Sequence, residues 1–164
     1  MKLSNLMIFW IALLIANPAL ALSTDRKQPI SIEADEAMID DAKGIAVYTG
    51  NVIVSQGSIR INSAKLTLHY TDKQTLEKAV ATGKPVRFKQ TPDGKKPDLH
   101  AKAHRMEYYA HKDMLHLTKE AMVWQGEDKF TGAHISYDTK RGIIRAEKGK
   151  SKTGRVSVTI QPKQ

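Results

Sequence analysis

From about residue 30 to residue 160 the chain alternates apolar and polar residues. Ala64-Lys65-Leu66-Thr67-Leu68-His69-Tyr70, Val86-Arg87-Phe88-Lys89, Leu115-His116-Leu117 and Val156-Ser157-Val158-Thr159-Ile160 all repeat with a period of two. A period of two places every second side chain on one face of a sheet, so each run predicts a strand with one buried face. Between them stand Lys43-Gly44, Gly50-Asn51, Gln56-Gly57, Gly83-Lys84-Pro85, Pro92-Asp93-Gly94 and Lys140-Arg141-Gly142, read here as turns. Many short strands with frequent turns predict an all-β sandwich, barrel or roll. ADEAMIDDAK (34–43) and TLEKAVA (75–81) are rich in helix formers but show no 3.6-residue apolar face, so both are read as strands or turns, with room for one short helical turn.

The first residues break this pattern. MKLSN precedes the apolar run LMIFWIALLIA, Leu6 to Ala16, which is followed by Asn17-Pro18 and Ala19-Leu20-Ala21. A basic start, a short apolar stretch and small residues before a cleavage point make a secretory signal peptide, expected to be cut after Ala21. The run is too short for the ~20 residues that cross a hydrocarbon core. Residues 22–164 are then expected to form a single domain, large enough for a substantial core. The chain has no cysteine, so its stability must come from packing and sheet hydrogen bonds.

The formal net charge is +9, and the leader carries only Lys2 of it. Such a field attracts polyanions. Export removes nucleic acid as the natural partner, and no aromatic-and-basic nucleic-acid motif accompanies the charge. Anionic lipid or phosphorylated glycolipid fits better.

Sliding the chain by 69 positions reveals a repeat without a gap. Ala34 falls on Ala103, Ile39 on Tyr108, Lys43 on Lys112 and Ile45 on Met114, and TGNVIVSQG (49–57) falls on TKEAMVWQG (118–126). Ile61 then meets Phe130, Ala64 meets Ala133, Leu66 meets Ile135 and Leu68 meets Tyr137. Two units, at about 30–70 and 99–139, predict an elongated layered structure in which each copy extends the apolar face of the other.

QPISIEADEAMIDDAKGIAVYTGNVIVSQGSIRINSAKLTL (28–68) resembles the opening of the periplasmic lipopolysaccharide-transport proteins of the organic-solvent-tolerance-like β-jellyroll family. The motifs that carry the resemblance are I-x-I-x-A-D from Ile30 to Asp35, the Y-T-G-N-V hairpin from Tyr48 to Val52, and Q-G-x-I-x-I from Gln56 to Ile61. It continues through GKPVRF (83–88), KDMLHLT (112–118) and the basic C-terminal strand. It departs at Lys119-Glu120, where the second Gly-Asn turn is expected. The resemblance implies an elongated, twisted, open antiparallel β-jellyroll built from two sequence-related halves, in the periplasm, whose apolar interior receives the acyl chains of lipopolysaccharide. It also implies copies joined head to tail, linking an inner-membrane extraction complex to an outer-membrane insertion complex.

Such a carrier needs no catalysis and no cofactor. Hiding acyl chains is favoured by roughly 0.8 kcal/mol per methylene, close to 10 kcal/mol for a chain of a dozen. The expected inward positions are Ile30, Ile32, Ile59, Ile61, Leu66, Leu68, Phe88, Met106, Tyr108 and Leu117, with Val86 and Leu115 beside them. The resemblance favours Ile30, Ile32, Phe88 and Tyr108 as ligand-facing, and the flexible thioethers of Met106 and Met122 suit varied chains. The segments near the two ends, Ile30 to Ala34 and Val156 to Ile160, would be edge strands, able to recruit another strand and to propagate as a filament. The basic stretch EKGKSKTGR (147–155) is either a solvated loop or a contact for lipid phosphates or a partner.

Enzyme signatures are sparse. The chain holds no G-x-S-x-G elbow, no glycine-rich phosphate loop and no H-E-x-x-H. His100 and His104 have ligand spacing for a helix, but on a strand they stand about 13 Å apart and read as surface histidines. Glu33, Asp35, Glu36, Asp40 and Asp41 form an acidic cluster that flanks turns, where solvated charge is favoured over glycosidase chemistry. An enzyme acting on envelope polymers, and a structural adaptor that binds no lipid, stand as the alternatives.

Overall fold

The structure, a computed structural model, describes residues 24–148 and 155–162. The leader with its cut at Ala21, and Lys150 and Lys152 of the basic stretch, lie outside the described residues.

Among the described residues ten strands make one antiparallel sheet: β1 (Ile30–Glu33), β2 (Glu36–Asp40), β3 (Ile45–Gln56), β4 (Ile59–Tyr70), β5 (Leu76–Gln90), β6 (Leu99–Tyr109), β7 (Met114–Gln125), β8 (Asp128–Asp138), β9 (Ile143–Glu147) and β10 (Ser157–Thr159). From β3 to β8 each strand pairs with the next in sequence. On one side β1 and β2 share the free edge of β3; on the other, β9 and β10 share that of β8. Among the described residues no pairing joins these two sides, so the sheet is open. Both helix-former-rich segments are strands, apart from a 3-10 turn at Asp41–Lys43 that the Asp40 side chain caps at the Lys43 N–H, 3.1 Å.

The 69-residue offset is written into the backbone. β3 recurs as β7, the start of β4 as the start of β8, and the turn at Asp41–Lys43 as Ala110–Lys112. Gly44, left-handed at φ +60°, is matched by Asp113 at +52°.

The segments Gly50-Asn51 and Gly83-Lys84-Pro85, expected as turns, are instead bends inside β3 and β5, because pairing resumes beyond each of them. Register shifts of this kind fall at Thr49/Val52, Asn62/Lys65, Thr82/Val86, Lys102/Arg105 and Thr118/Ala121. They lie at one level, so a crease runs across the whole sheet. An inserted residue bends a strand and raises its twist without ending the ladder. At the crease the inward positions change parity: Ser63 to Leu66 on β4, Ala81 to Val86 on β5, Ala103 to Met106 on β6.

Lys119 and Glu120 take φ of +63° and +57°, the same left-handed conformation as Gly50 and Asn51 at +79° and +45°. The departure from glycine therefore leaves the bend intact. In the first copy Asn51 donates to Asp35 at 2.9 Å; in the second, Glu120 meets His104 at 3.4 Å. The partners exchange polarity and keep their places.

The inward face carries one core cluster, in which Leu117, Ile135, Val52 and Val86 are the largest fully buried side chains. Truncating Leu117, wholly inaccessible to solvent, to alanine is expected to lower unfolding free energy by about 3 kcal/mol in denaturant titration. The bend makes an opposed pair of expectations. K119G should raise stability by about 1 kcal/mol, because glycine tolerates positive φ. G50A should lower it, because its Cβ would collide with the Asp35 carboxylate.

Candidate functional site

The site is the concave face itself. Residues directly opposite on adjacent strands share a face and lie about 5 Å apart, so pairing register converts into rows of side chains. Towards the Gly57–Ser58 turn, Ile32, Val54, Ile61, Phe88, Ala101, Val123 and Phe130 form one row across seven strands, prolonged by Val158 on β10. Beyond the crease a second row runs Tyr48, Leu66, Ala81, Met106, Leu117, Ile135, and a third runs Ala46, Leu68, Ala79, Tyr108, Leu115, Tyr137.

All ten positions expected to line the interior stand on this face. Leu66, Leu68, Met106 and Leu117 are buried within the core cluster. Ile32, Ile61, Phe88 and Tyr108 are half-buried and packed against it, and Ile59 is also half-buried. Ile30, at the sheet edge, is 56% exposed. Met122 is a correction: it pairs with Lys102 and Thr131 on the opposite face, between the inward Ala121 and Val123. Val54, Val123, Phe130 and Ile135 were not singled out from the sequence. The 69-residue slide held the signal for them, since it places Ile61 on Phe130 and Leu66 on Ile135.

One end of the interior is finished in polar groups. Gln56 donates to the Gln28 carbonyl at 3.1 Å, Gln125 to the Pro97 carbonyl at 3.0 Å, and Gln90 to Asp25 at 3.1 Å. Asp25 is buried in the 3-10 turn Thr24–Lys27, where it also accepts from the Ser58 hydroxyl at 2.7 Å. On the other side of the crease the interior carries phenols: the Tyr108 hydroxyl meets Asp113 at 3.2 Å, and burial, with Tyr48 nearby, raises the Tyr70 pKa above that of a free phenol.

The opposite face is polar. Glu107 accepts from Lys78 at 2.6 Å and from Arg105 at 3.0 Å; burial works against its charge, but these two donors hold its carboxyl below the usual range. The His116 and His134 rings stack in parallel with 3.0 Å between nitrogens, and His134 reaches Glu147 at 3.3 Å. The carboxylates and histidines weighed for chemistry are spread among such partners: Asp35 on Asn51, Asp40 on Lys43, His104 on Glu120, His100 on Trp124. Among the described residues no group of three or more His, Asp or Glu side chains is placed to hold a metal ion.

An open antiparallel sheet with one continuous apolar face and one polar face defines an all-β binding scaffold. The family model described as LptA/(LptD N-terminal domain) LPS transport protein matches residues 31–143. Over 158 residues the chain is 35% identical to the lipopolysaccharide export system protein LptH of Pseudomonas aeruginosa, covering 93% of this chain and 90% of that one. It is 36% identical to LptA of Escherichia coli K12 over 99% of this chain and 88% of the relative. The crystal structure of P. aeruginosa LptH, titled the LptA homologous periplasmic component of the conserved lipopolysaccharide transport device, superposes with a TM-score of 0.76 at 34% identity, covering 84% of this chain and 99% of the other. The chain belongs to the LptA/LptD N-terminal-domain family, a family of transport proteins rather than enzymes.

Burial and the neighbouring His134 lower the His116 pKa. An unfolded histidine takes up its proton near pH 6.5, where folded His116 does not, so stability is full above that pH and falls as the pH drops through it. H116Q should flatten the decline in thermal midpoint between about pH 7 and 5 relative to the parent protein.

Proposed function

We propose that this protein is a periplasmic lipopolysaccharide carrier. After removal of the leader at Ala21, residues 22–164 act as one unit that shields acyl chains against Ile32, Ile61, Phe88 and Tyr108, with the buried leucines and Met106 as the floor beneath them. Copies join head to tail through the free sides of the sheet and bridge the inner-membrane extraction complex to the outer-membrane insertion complex. The names of the relatives support lipopolysaccharide as cargo and the periplasm as location.

The observation that carries this reading is where the apolar surface is exposed. Ile30, Met38 and Ile39 lie on β1 and β2, and Val156, Val158 and Ile160 in and beside β10, all between 37 and 66% exposed. A soluble monomer blunts its sheet edges with charge or proline; here both free sides carry large aliphatic residues beside unpaired backbone. Unlike sides joining give an open chain of copies, along which an apolar face is continuous.

Photo-crosslinking residues placed singly at Ile32, Phe88 and Tyr108, with exposed, outward-facing Lys65 as control, test the interior as the lipid path. Adducts with lipopolysaccharide at the first three and none at Lys65 are expected. Folded protein that still assembles but gives no adduct at any of the three would leave the structural adaptor as the better reading.

A further inference from the structure

The polar face has its own ordered feature near the Gly57–Ser58 end. Arg60, Lys89, His100, Trp124 and Lys129 stand opposite one another on β4 to β8. At about 4.8 Å per strand the row is about 19 Å long. The His100 imidazole lies on the Trp124 indole with centroids 5.0 Å apart and planes within 10°. Asn62 and Arg87 pair in the next row of the same face. Arg60, Asn62, Arg87, Lys89, His100 and Trp124 line a shallow depression of about 200 Å³.

Its charge is one-sided. Lys89 is paired with Asp98 at 2.8 Å. Arg60 donates to the carbonyls of Gly57 and Ile59, both at 2.8 Å, and has no acidic partner among the described residues. Arg87 and Lys129 have no acidic partner among the described residues. A partly exposed aromatic stack flanked by guanidinium groups matches a ligand with an apolar ring face and an acidic substituent. A sugar ring bearing phosphate or carboxylate has both: its C–H face lies on the indole, and its oxygens accept paired hydrogen bonds from arginine. A bilayer surface needs a cluster of protruding apolar residues beside the cations; this face offers a single exposed aliphatic there, Ile53 opposite Asn62 at 37% exposure, and Met122 is half-buried.

We propose that this row is a binding site for an acidic saccharide, with one ring on the Trp124–His100 stack and its acidic groups on Arg60 and Arg87. For the source of the saccharide the proposal rests on the carrier reading: the glycan of a lipopolysaccharide whose acyl chains occupy the opposite face. Arg60 is two residues from Ser58, so a glycan leaving the interior at this end rounds the hairpin directly onto the row.

Trp124 is the sole tryptophan outside the leader, so its fluorescence in the chain from Leu22 onward reports this site alone. The probe is the phosphorylated core oligosaccharide of lipopolysaccharide, fully deacylated, with the dephosphorylated oligosaccharide and phosphatidylglycerol vesicles as comparators. The phosphorylated form is expected to perturb the fluorescence, and R60Q/R87Q to bind it about tenfold or more weakly. Both arginines are exposed, so the double variant should keep its thermal midpoint and its lipid adducts at Phe88. Unchanged affinity in the double variant, equal binding of the dephosphorylated form, or equal binding of vesicles overturns the proposal. Adducts at Phe88 without any oligosaccharide response sink the outer site alone; a response without adducts sinks the carrier reading and leaves an acidic-saccharide site.

Discussion

Continuity of backbone pairing through the crease is the constraint on which the rest of the structure depends. A buried N–H or C=O without a partner is costly, so a sheet that must curve cannot do so by letting its strands part. Here the alternate strands β3, β5 and β7 take up extra residues at the same level relative to β4, β6 and β8, and pairing resumes on the far side. Curvature gathers the inward side chains into one cluster, yet among the described residues the ladder does not return to its first strand. An apolar interior and two unpaired sides are thus products of one geometric device.

The device is duplicated, and the duplicate shows which parts of it matter. Left-handed backbone occurs at Gly50-Asn51 and again at Lys119-Glu120, although glycine has been lost from the second. What persists is the tie across the break, Asn51 to Asp35 in one copy and Glu120 to His104 in the other. A bend held by a side-chain pair tolerates an unfavourable φ that a free turn would relax. The same register fixes two faces of opposite character, with aliphatic and aromatic rows inside and ion pairs, stacked histidines and the basic row outside.

The strands and the two-fold repetition were legible in the sequence because both are local or periodic signals. Period two marks each strand, and the slide of TGNVIVSQG onto TKEAMVWQG marks the register of β3 and β7. The bends were misread as turns for a physical reason: glycine, asparagine and proline serve a hairpin and a bulge alike, and only pairing beyond the bend separates them. The inward set on each strand was legible for Leu66, Leu68, Met106, Tyr108 and Leu117, since alternation needs no partner strand. The thioether chemistry of Met122 suits an acyl chain, but its parity, opposite Lys102 and Thr131, sets it on the outer face. The row Arg60, Lys89, His100, Trp124, Lys129 was invisible, because its members lie on five strands and meet only through non-local register.

The most direct test of an interior that carries acyl chains is a comparison of equilibrium affinity for intact lipopolysaccharide and for the same molecule stripped of its acyl chains. Burial of even one chain is worth several kcal/mol, so the account predicts a loss of about a thousandfold or more on deacylation. Comparable affinity for the two forms would place recognition on the polar face and contradict an apolar interior as the seat of binding.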